Sequence, residues 1–313
     1  MAIPLQAPDL GVTRRRSRPG ERVVVGLLLL CAVVSILVTV GIVAVLASEA
    51  ARFFAEVPIF EFLTGTRWAP LGGRIEAGDF GVLPLLNGSL MIAAGALLVG
   101  VPLGLATAIY LSEYARPRVR GVVKPVLEVL AGIPTVVVGF FALNFITPTL
   151  LRPVFGEDRV FIFNAAAGAI AVGLMILPII ASISEDAMRS VPHALREAAF
   201  GMGATKRVVS LRVVVPAALS GIAASVILGV SRAVGETMAV TIAAGNTPNL
   251  TTNFFESIQT LTAYIAQTVG GEAAAGSVRY QSLFAVGATL FVITLAMNLL
   301  SIRLVRRFRQ AYQ

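Results

Sequence analysis

The chain has 313 residues, of which 57% are hydrophobic and 13% charged, with a formal net charge of +8. An ordinary soluble domain is roughly a quarter charged, so this composition excludes a typical soluble enzyme and points to the bilayer. A basic balance often signals nucleic acid, but here the charges follow topology, and no nucleic-acid partner is expected.

In chain order, residues 1–22 form a basic, polar tail predicted to be disordered, with Arg14-Arg15-Arg16 ahead of an apolar run. Residues 23–46 are the first predicted transmembrane helix, since a span needs about 20 mostly apolar residues. Val23–Ala47 is longer than the ~7–15 apolar residues of a secretion signal, so it reads as a retained span. Residues 47–85 follow as an outer loop whose Trp68 and several Phe suit an interfacial element, a docking surface or simple anchoring at the headgroups. Residues 86–304 hold a five-helix core with spans near 86–111, 122–150, 164–184, 217–245 and 281–302, and a polar loop over 186–216. Pro102, Pro134 and Pro178 predict kinks in the second to fourth spans. In the last outer loop Phe255, Ile258, Thr262, Ile265 and Val269 recur at helical spacing, which predicts a short amphipathic helix over 253–269. Residues 305–313 are a basic end.

The fold class is therefore an all-α integral membrane protein with six transmembrane helices. A soluble protein with six buried helices requires polar stripes that Val23–Leu46 and Ser282–Leu300 lack. With the N-terminus inside, 18 of the 25 Lys and Arg fall on the cytoplasmic side: in the tail, from Arg116 to Lys124, from Arg189 to Arg212, and from Arg303 to Arg309. The positive-inside bias then places both termini in the cytoplasm. The lone Cys31 allows no intrachain disulfide, and the lone His193 suggests no metal site.

Two polar constellations interrupt this pattern. The first is Glu197-Ala198-Ala199-Phe200-Gly201-Met202-Gly203 in the cytoplasmic loop, running on to Val213-Val214-Val215-Pro216. Ser190 is placed to cap a helix with Pro192 in its first turn. Leu195, Ala198, Ala199 and Met202 then share a shallow face that suits a partner's groove. Gly201 and Gly203 are placed to end the helix, and Thr205 to open a second. The second constellation is Ser231-Arg232-Ala233-Val234-Gly235-Glu236-Thr237-Met238. Arg232 lies about 24 Å along a helix from Pro216, near the bilayer centre, where a charge is costly and marks a functional candidate. Glu236, four residues on, is placed to face it on one helix. Either the pair is a buried salt bridge that fixes packing, or Arg232 offers its planar fork to a crossing oxyanion while Glu236 holds it.

The Glu197-Ala198-Ala199 triplet with Gly203 and Pro216 resembles the EAA loop of ABC importer permeases. Arg232 to Val240, R-A-V-G-E-T-M-A-V, is similar to the corresponding span of phosphate ABC importer permeases of the PstC type. So are Pro102-Leu103-Gly104 with Tyr110-Leu111-Ser112-Glu113-Tyr114, Ala131-Gly132-Ile133-Pro134, Arg189-Ser190-Val191-Pro192 with Gly203-Ala204-Thr205-Lys206, and Phe80-Gly81-Val82-Leu83-Pro84-Leu85. The resemblance runs from the first span to the C-terminus and leaves only the tail unmatched.

The resemblance implies a type I ABC importer permease fold and inorganic phosphate as cargo, in a bacterial or archaeal plasma membrane. It implies four partners besides lipid: a second permease of the PstA type, two ATPase copies of the PstB type, and an extracytoplasmic phosphate-binding protein of the PstS type. Arg232, Glu236 and Thr237 would line the substrate pathway, and Glu197, Ala198, Ala199 and Gly203 would contact the ATPase. No Gly is followed directly by Lys, so the chain has no Walker A sequence. It is accordingly expected to be no enzyme and to bind no cofactor, ATP and magnesium belonging to the ATPase. Two alternatives stay open on these residues: a permease of the same class for phosphonate, sulfate or molybdate, or a secondary transporter. A polytopic enzyme has no nucleophile, base or metal motif to support it.

Overall fold

The computed structural model describes residues 19–70, 79–271 and 276–308. Most of the predicted basic tail and residues 309–313 of the C-terminal end lie outside them. The chain divides into two compact units, residues 1–48 and 49–313. Helix α1 is Pro19–Glu56, and all its side chains from Arg22 to Val45 are exposed. A Val/Leu/Ile surface with no polar face is what lipid solvates and water does not.

After the end of α1, the larger unit continues through a short helix, α2 (Ile59–Thr64), then α3 (Leu83–Ile109), α4 (Pro117–Ala131), α5 (Thr135–Phe141) and α6 (Arg152–Phe155). Then come α7 (Ala165–Arg189), α8 (His193–Gly201), α9 (Lys206–Val208), α10 (Val215–Ala217), α11 (Leu219–Gly235), α12 (Met238–Ala244), α13 (Leu261–Val269) and α14 (Val278–Phe308). π-Helical stretches at Tyr110–Tyr114, Ala142–Leu151 and Val209–Val214 join some of these into longer rods. Five described helical segments are long and apolar enough to span a bilayer: Arg22–Glu56, Leu83–Tyr114, Thr135–Phe155, Ala165–Arg189 and Val278–Arg303. Lys206–Ala217 and Leu219–Gly235, bent by 71°, make a sixth if taken as one span.

The centre of the unit is α3 packed on α7, with α11 and α12 against them. Ile92, Ala96, Ala169, Val172, Ile176, Ile180, Val234 and Val240 form its core. Small residues set the approach: a Cβ on Gly100 would lie 2.6 Å from Ile176 Cγ1 and 2.9 Å from the Gly173 carbonyl. In lipid, where apolar burial between helices gives little drive, such close backbone contact is the main source of association. Asn164 fixes the start of α7; its Oδ1 accepts the Ala167 N–H at 2.8 Å while its Nδ2 donates to Thr147 and Phe161.

Three expectations are corrected. The span expected over 122–150 is two pieces. Pro134, with no N–H to give, adopts an extended conformation after Gly132, and the chain turns before α5. The charged helix α4 has no buried residue, so the apolar span is Thr135–Phe155. The helix expected over 253–269 forms only at Leu261–Val269, where it is largely buried. Residues 254–256 instead accept backbone N–H groups from Phe161, Ala165 and Ala166, and Thr260 caps the shorter helix through the Ala263 N–H. The aromatics of the first outer segment form a core: Phe53, Phe62, Trp68, Phe80 and Tyr264 meet edge to face, and Trp68 is only 3% exposed. Edge-to-face geometry satisfies the ring quadrupoles and binds the outer segment to α13 and α14.

Candidate substrate pathway and coupling surface

The polar loop after α7 is a rigid bracket. Ser190 closes the end of α7, its Oγ donating to the Ala187 carbonyl at 2.8 Å, and Pro192 rather than Ser190 stands at the N-cap of α8. A proline fits there because the first helical turn has no partner for its N–H. Arg196 then pins α8 in place. Its guanidinium donates to the Val191 and Met188 carbonyls at 2.6 and 2.8 Å and to Glu113 at 3.2 Å. Those bonds engage carbonyls around the end of α7 and tie α8 to the π-helical end of α3. Lys206 Nζ lies 5.0 Å above the Tyr114 ring, a second tie between the same regions.

The face expected to dock as one surface is divided. Leu195 is half-buried, and Ala199 is buried in a cluster with Met188, Val191, Val209 and Val214. Glu197, Ala198, Phe200 and Met202 are exposed, Met202 at 83%. Gly203 reverses the chain at φ +83°, with Gly203 N–H bonded to Phe200 O and Ala204 N–H to Ala199 O. This paired arrangement closes a helix C-terminus and needs a left-handed residue.

A neighbouring cluster lay beyond the reach of the sequence reading. Glu185, fully buried in the last turns of α7, receives Lys124 Nζ at 2.8 Å and stands 3.0 Å from Arg120 Nε, an ion pair whose N–H is not aligned for a hydrogen bond. Arg189 stands 3.8 Å away, and Lys124 also reaches Asp186 at 2.6 Å. Burial acts to lower the Lys124 pKa, but the bonds and charges of Asp186 and Glu185 outweigh it and hold the ammonium above its ordinary range. The available signal was an acidic pair just past the fourth apolar stretch, matched by four basic residues from Arg116 to Lys124.

The second constellation sits at a break in the helix. α11 ends at Gly235, and Glu236 is extended at φ −70°, ψ 131°, before α12 begins. Glu236 is buried at 8%; its Oε1 accepts the Ala239 N–H of α12 at 3.3 Å, and its carbonyl accepts Thr262 Oγ1 of α13 at 2.8 Å. Arg232 and Glu236 therefore do not pair as expected, because the backbone between them leaves the helix and commits the carboxylate to α12. Arg232 is exposed and makes no hydrogen bond or ion pair among the described residues. Thr237, half-buried and next after Glu236, accepts Thr241 Oγ1 on its carbonyl at 2.7 Å. Irregular backbone at membrane depth occurs only where protein covers it or a polar cavity meets it. Here Thr262 covers one side of the break, and the uncompensated guanidinium stands beside it.

These features define a helical membrane permease with a broken span and a polar bracket between spans. The chain belongs to the family described as binding-protein-dependent transport system inner membrane component, which it matches over residues 100–312. That is a family of transport permeases, not of enzymes. The chain is 36% identical over 272 residues to the probable ABC transporter permease protein YqgH of Bacillus subtilis, covering 86% of each. It is 36% identical over 251 residues to the phosphate transport system permease protein PstC of Mesorhizobium japonicum, covering 75% of each. Among solved structures, a bacterial ABC transporter that imports the acidic polysaccharide alginate superposes with a TM-score of 0.66 at 17% identity, over 93% of this chain and 98% of that one. At that identity the likeness speaks for the fold, a type I ABC importer permease.

Proposed function

We propose that this chain is one of two permease subunits of an ATP-driven importer of inorganic phosphate, with Arg232 as the group that meets the anion in the membrane. The observation that carries this reading is the exposed, unpartnered guanidinium at a helix break, in a chain whose relatives include a phosphate transport permease. An unpaired cation there is costly without a ligand, and a planar two-pronged donor suits a tetrahedral oxyanion. Glu236 shapes the break rather than neutralising Arg232, and Thr237 adds a hydroxyl beside it.

In this reading a second permease of the PstA type completes the path. Two ATPase subunits of the PstB type bind the exposed face of α8 at Glu197, Ala198, Phe200 and Met202, with Ala199 and Gly203 holding that face in shape. A phosphate-binding protein of the PstS type delivers the anion outside. The termini face the cytoplasm of a bacterial or archaeal cell, and ATP and magnesium stay with the ATPase, this chain binding no cofactor. ATP-driven closure of the ATPase pair pulls α8, and the Arg196 ties pass that motion to α7 and α3. The test is phosphate accumulation in proteoliposomes holding all four kinds of subunit, with ATP on the ATPase side and sulfate, molybdate or phosphonate as competitors. Accumulation of phosphate against its gradient supports the proposal; accumulation of another oxyanion alone, or transport without ATP, overturns it.

A further inference from the structure

A second polar site lies apart from the Arg232 break, where the first outer segment meets α13 and the start of α14. It is a small pocket of about 40 Å³ whose wall includes Trp68, Asn246, Tyr264, Gln267, Thr268 and Arg279. No carboxylate lines it among the described residues. Two of its donors are buried without a partner: the indole Nε1 of Trp68, a residue 97% buried, and Nε of Arg279. Both groups only donate, so neither satisfies the other. Leaving one such group dry is uncommon; two on residues that line one pocket point to a missing acceptor. The space exceeds the roughly 10–15 Å³ that one water occupies on the same measure, yet is too small for an organic substrate.

The surrounding structure holds the donors rigidly. Trp68 is clamped edge to face by Phe80 and Tyr264, the latter at 4.9 Å, and Tyr264 is in turn bonded to Ser282 of α14 at 2.7 Å. Gln267 is fixed by accepting Gln259 Nε2 at 2.7 Å. The same helix α13 also carries Thr262, bonded to the Glu236 carbonyl at the break. Thr262 and Thr268 are six residues apart, about 9 Å along a helix, so one short rigid element joins the pocket to the break.

We infer that this pocket binds a small tetrahedral oxyanion, and, resting on the function proposed above, that it is an outer staging site for inorganic phosphate upstream of Arg232. Trp68 is the only tryptophan in the chain, so its emission reports this pocket alone. The experiment follows Trp68 fluorescence of the full chain in lipid nanodiscs during titration with inorganic phosphate, against sodium chloride at equal ionic strength. A saturable, phosphate-specific change is expected. Arg279→Gln should weaken its apparent affinity by about tenfold or more, while Arg279→Lys, which keeps the charge, should keep the response at reduced affinity. Arg232→Gln should leave the response intact even though it abolishes uptake in the assembled transporter, which separates this site from the proposed pathway. No phosphate-specific change in the wild type would overturn the staging site and leave the uptake test of the function untouched. An unchanged response in a folded Arg279→Gln protein would overturn it equally.

Discussion

The molecule holds two arginines in opposite states. Arg196 is engaged three times: two carbonyls and a carboxylate accept from it, and what it binds is the junction of α3, α7 and α8. Arg232, at the end of α11, has no partner among the described residues. A guanidinium bonded to three acceptors outside its own helix makes a stiff joint, suited to transmitting a pull. One left open at membrane depth carries an energetic debt that only a ligand or an assembled neighbour can relieve. In the function proposed, the same side chain thus serves mechanics in one place and recognition in the other, and burial with bonding decides which.

The sharpest way to break this contrast is to remove the open charge. Arg232→Ala is expected to lower phosphate uptake about 100-fold or more, the loss of a two-pronged charged contact, with assembly and fold intact because the side chain supports no internal bond. Removing the bonded charge should do the reverse. Arg196→Ala is expected to loosen α8 by about 2–4 kcal/mol, seen as faster hydrogen exchange of the α8 amides, with ATPase binding weakened. Glu185→Gln leaves Arg120 and Lys124 without their shared carboxylate. The expected cost is about 2–3 kcal/mol, below the ~3–5 kcal/mol of a fully enclosed pair because both cations reach solvent; thermal melting of the purified chain measures it. Gly203→Ala, at a positive φ, should cost about 1 kcal/mol and reduce ATPase binding slightly. The smallest effect concerns pH. The Lys124 pKa is raised above 10.5, so its contribution is fully present below that value and is lost only as pH rises through the raised one. Melting temperature should therefore show no Lys124-dependent change between pH 6 and 9 (about neutral, well below that window) when wild type and Lys124→Met are compared.

Much of this was legible in the chain. The apolar stretches mark the spans because a bilayer demands a length of greasy helix, and local chemistry announced the turn at Gly203 and a helix near Pro192, though its cap is Pro192 and not Ser190. The Arg232 to Thr237 segment also stood out, since charges in an apolar run are rare. What could not be read depends on distant partners. Nothing local in Gly235-Glu236-Thr237 stops a helix; Thr262 and the Ala239 N–H stabilise the break instead. Phe255 and Ile258 have helical spacing, but residues 254–256 bond to the start of α7, more than 80 positions away, as the exchange with Ala165 and Ala166 records. Pro134 was visible as a kink, yet only the extended backbone at Pro134 and the bare surface of α4 reveal a full break. Glu185 falls just beyond the stretch that reads as apolar, and its cations arrive from another helix.

The most direct test measures phosphate uptake and ATP hydrolysis together in proteoliposomes of the complete transporter, comparing wild type with Arg232→Gln. If Arg232 receives the anion while the bracket around Arg196 transmits the pull, the variant keeps hydrolysis stimulated by the binding protein and loses uptake. Uptake that persists at the wild-type ratio to hydrolysis would contradict the account, and so would a parallel loss of both activities in a fully assembled complex.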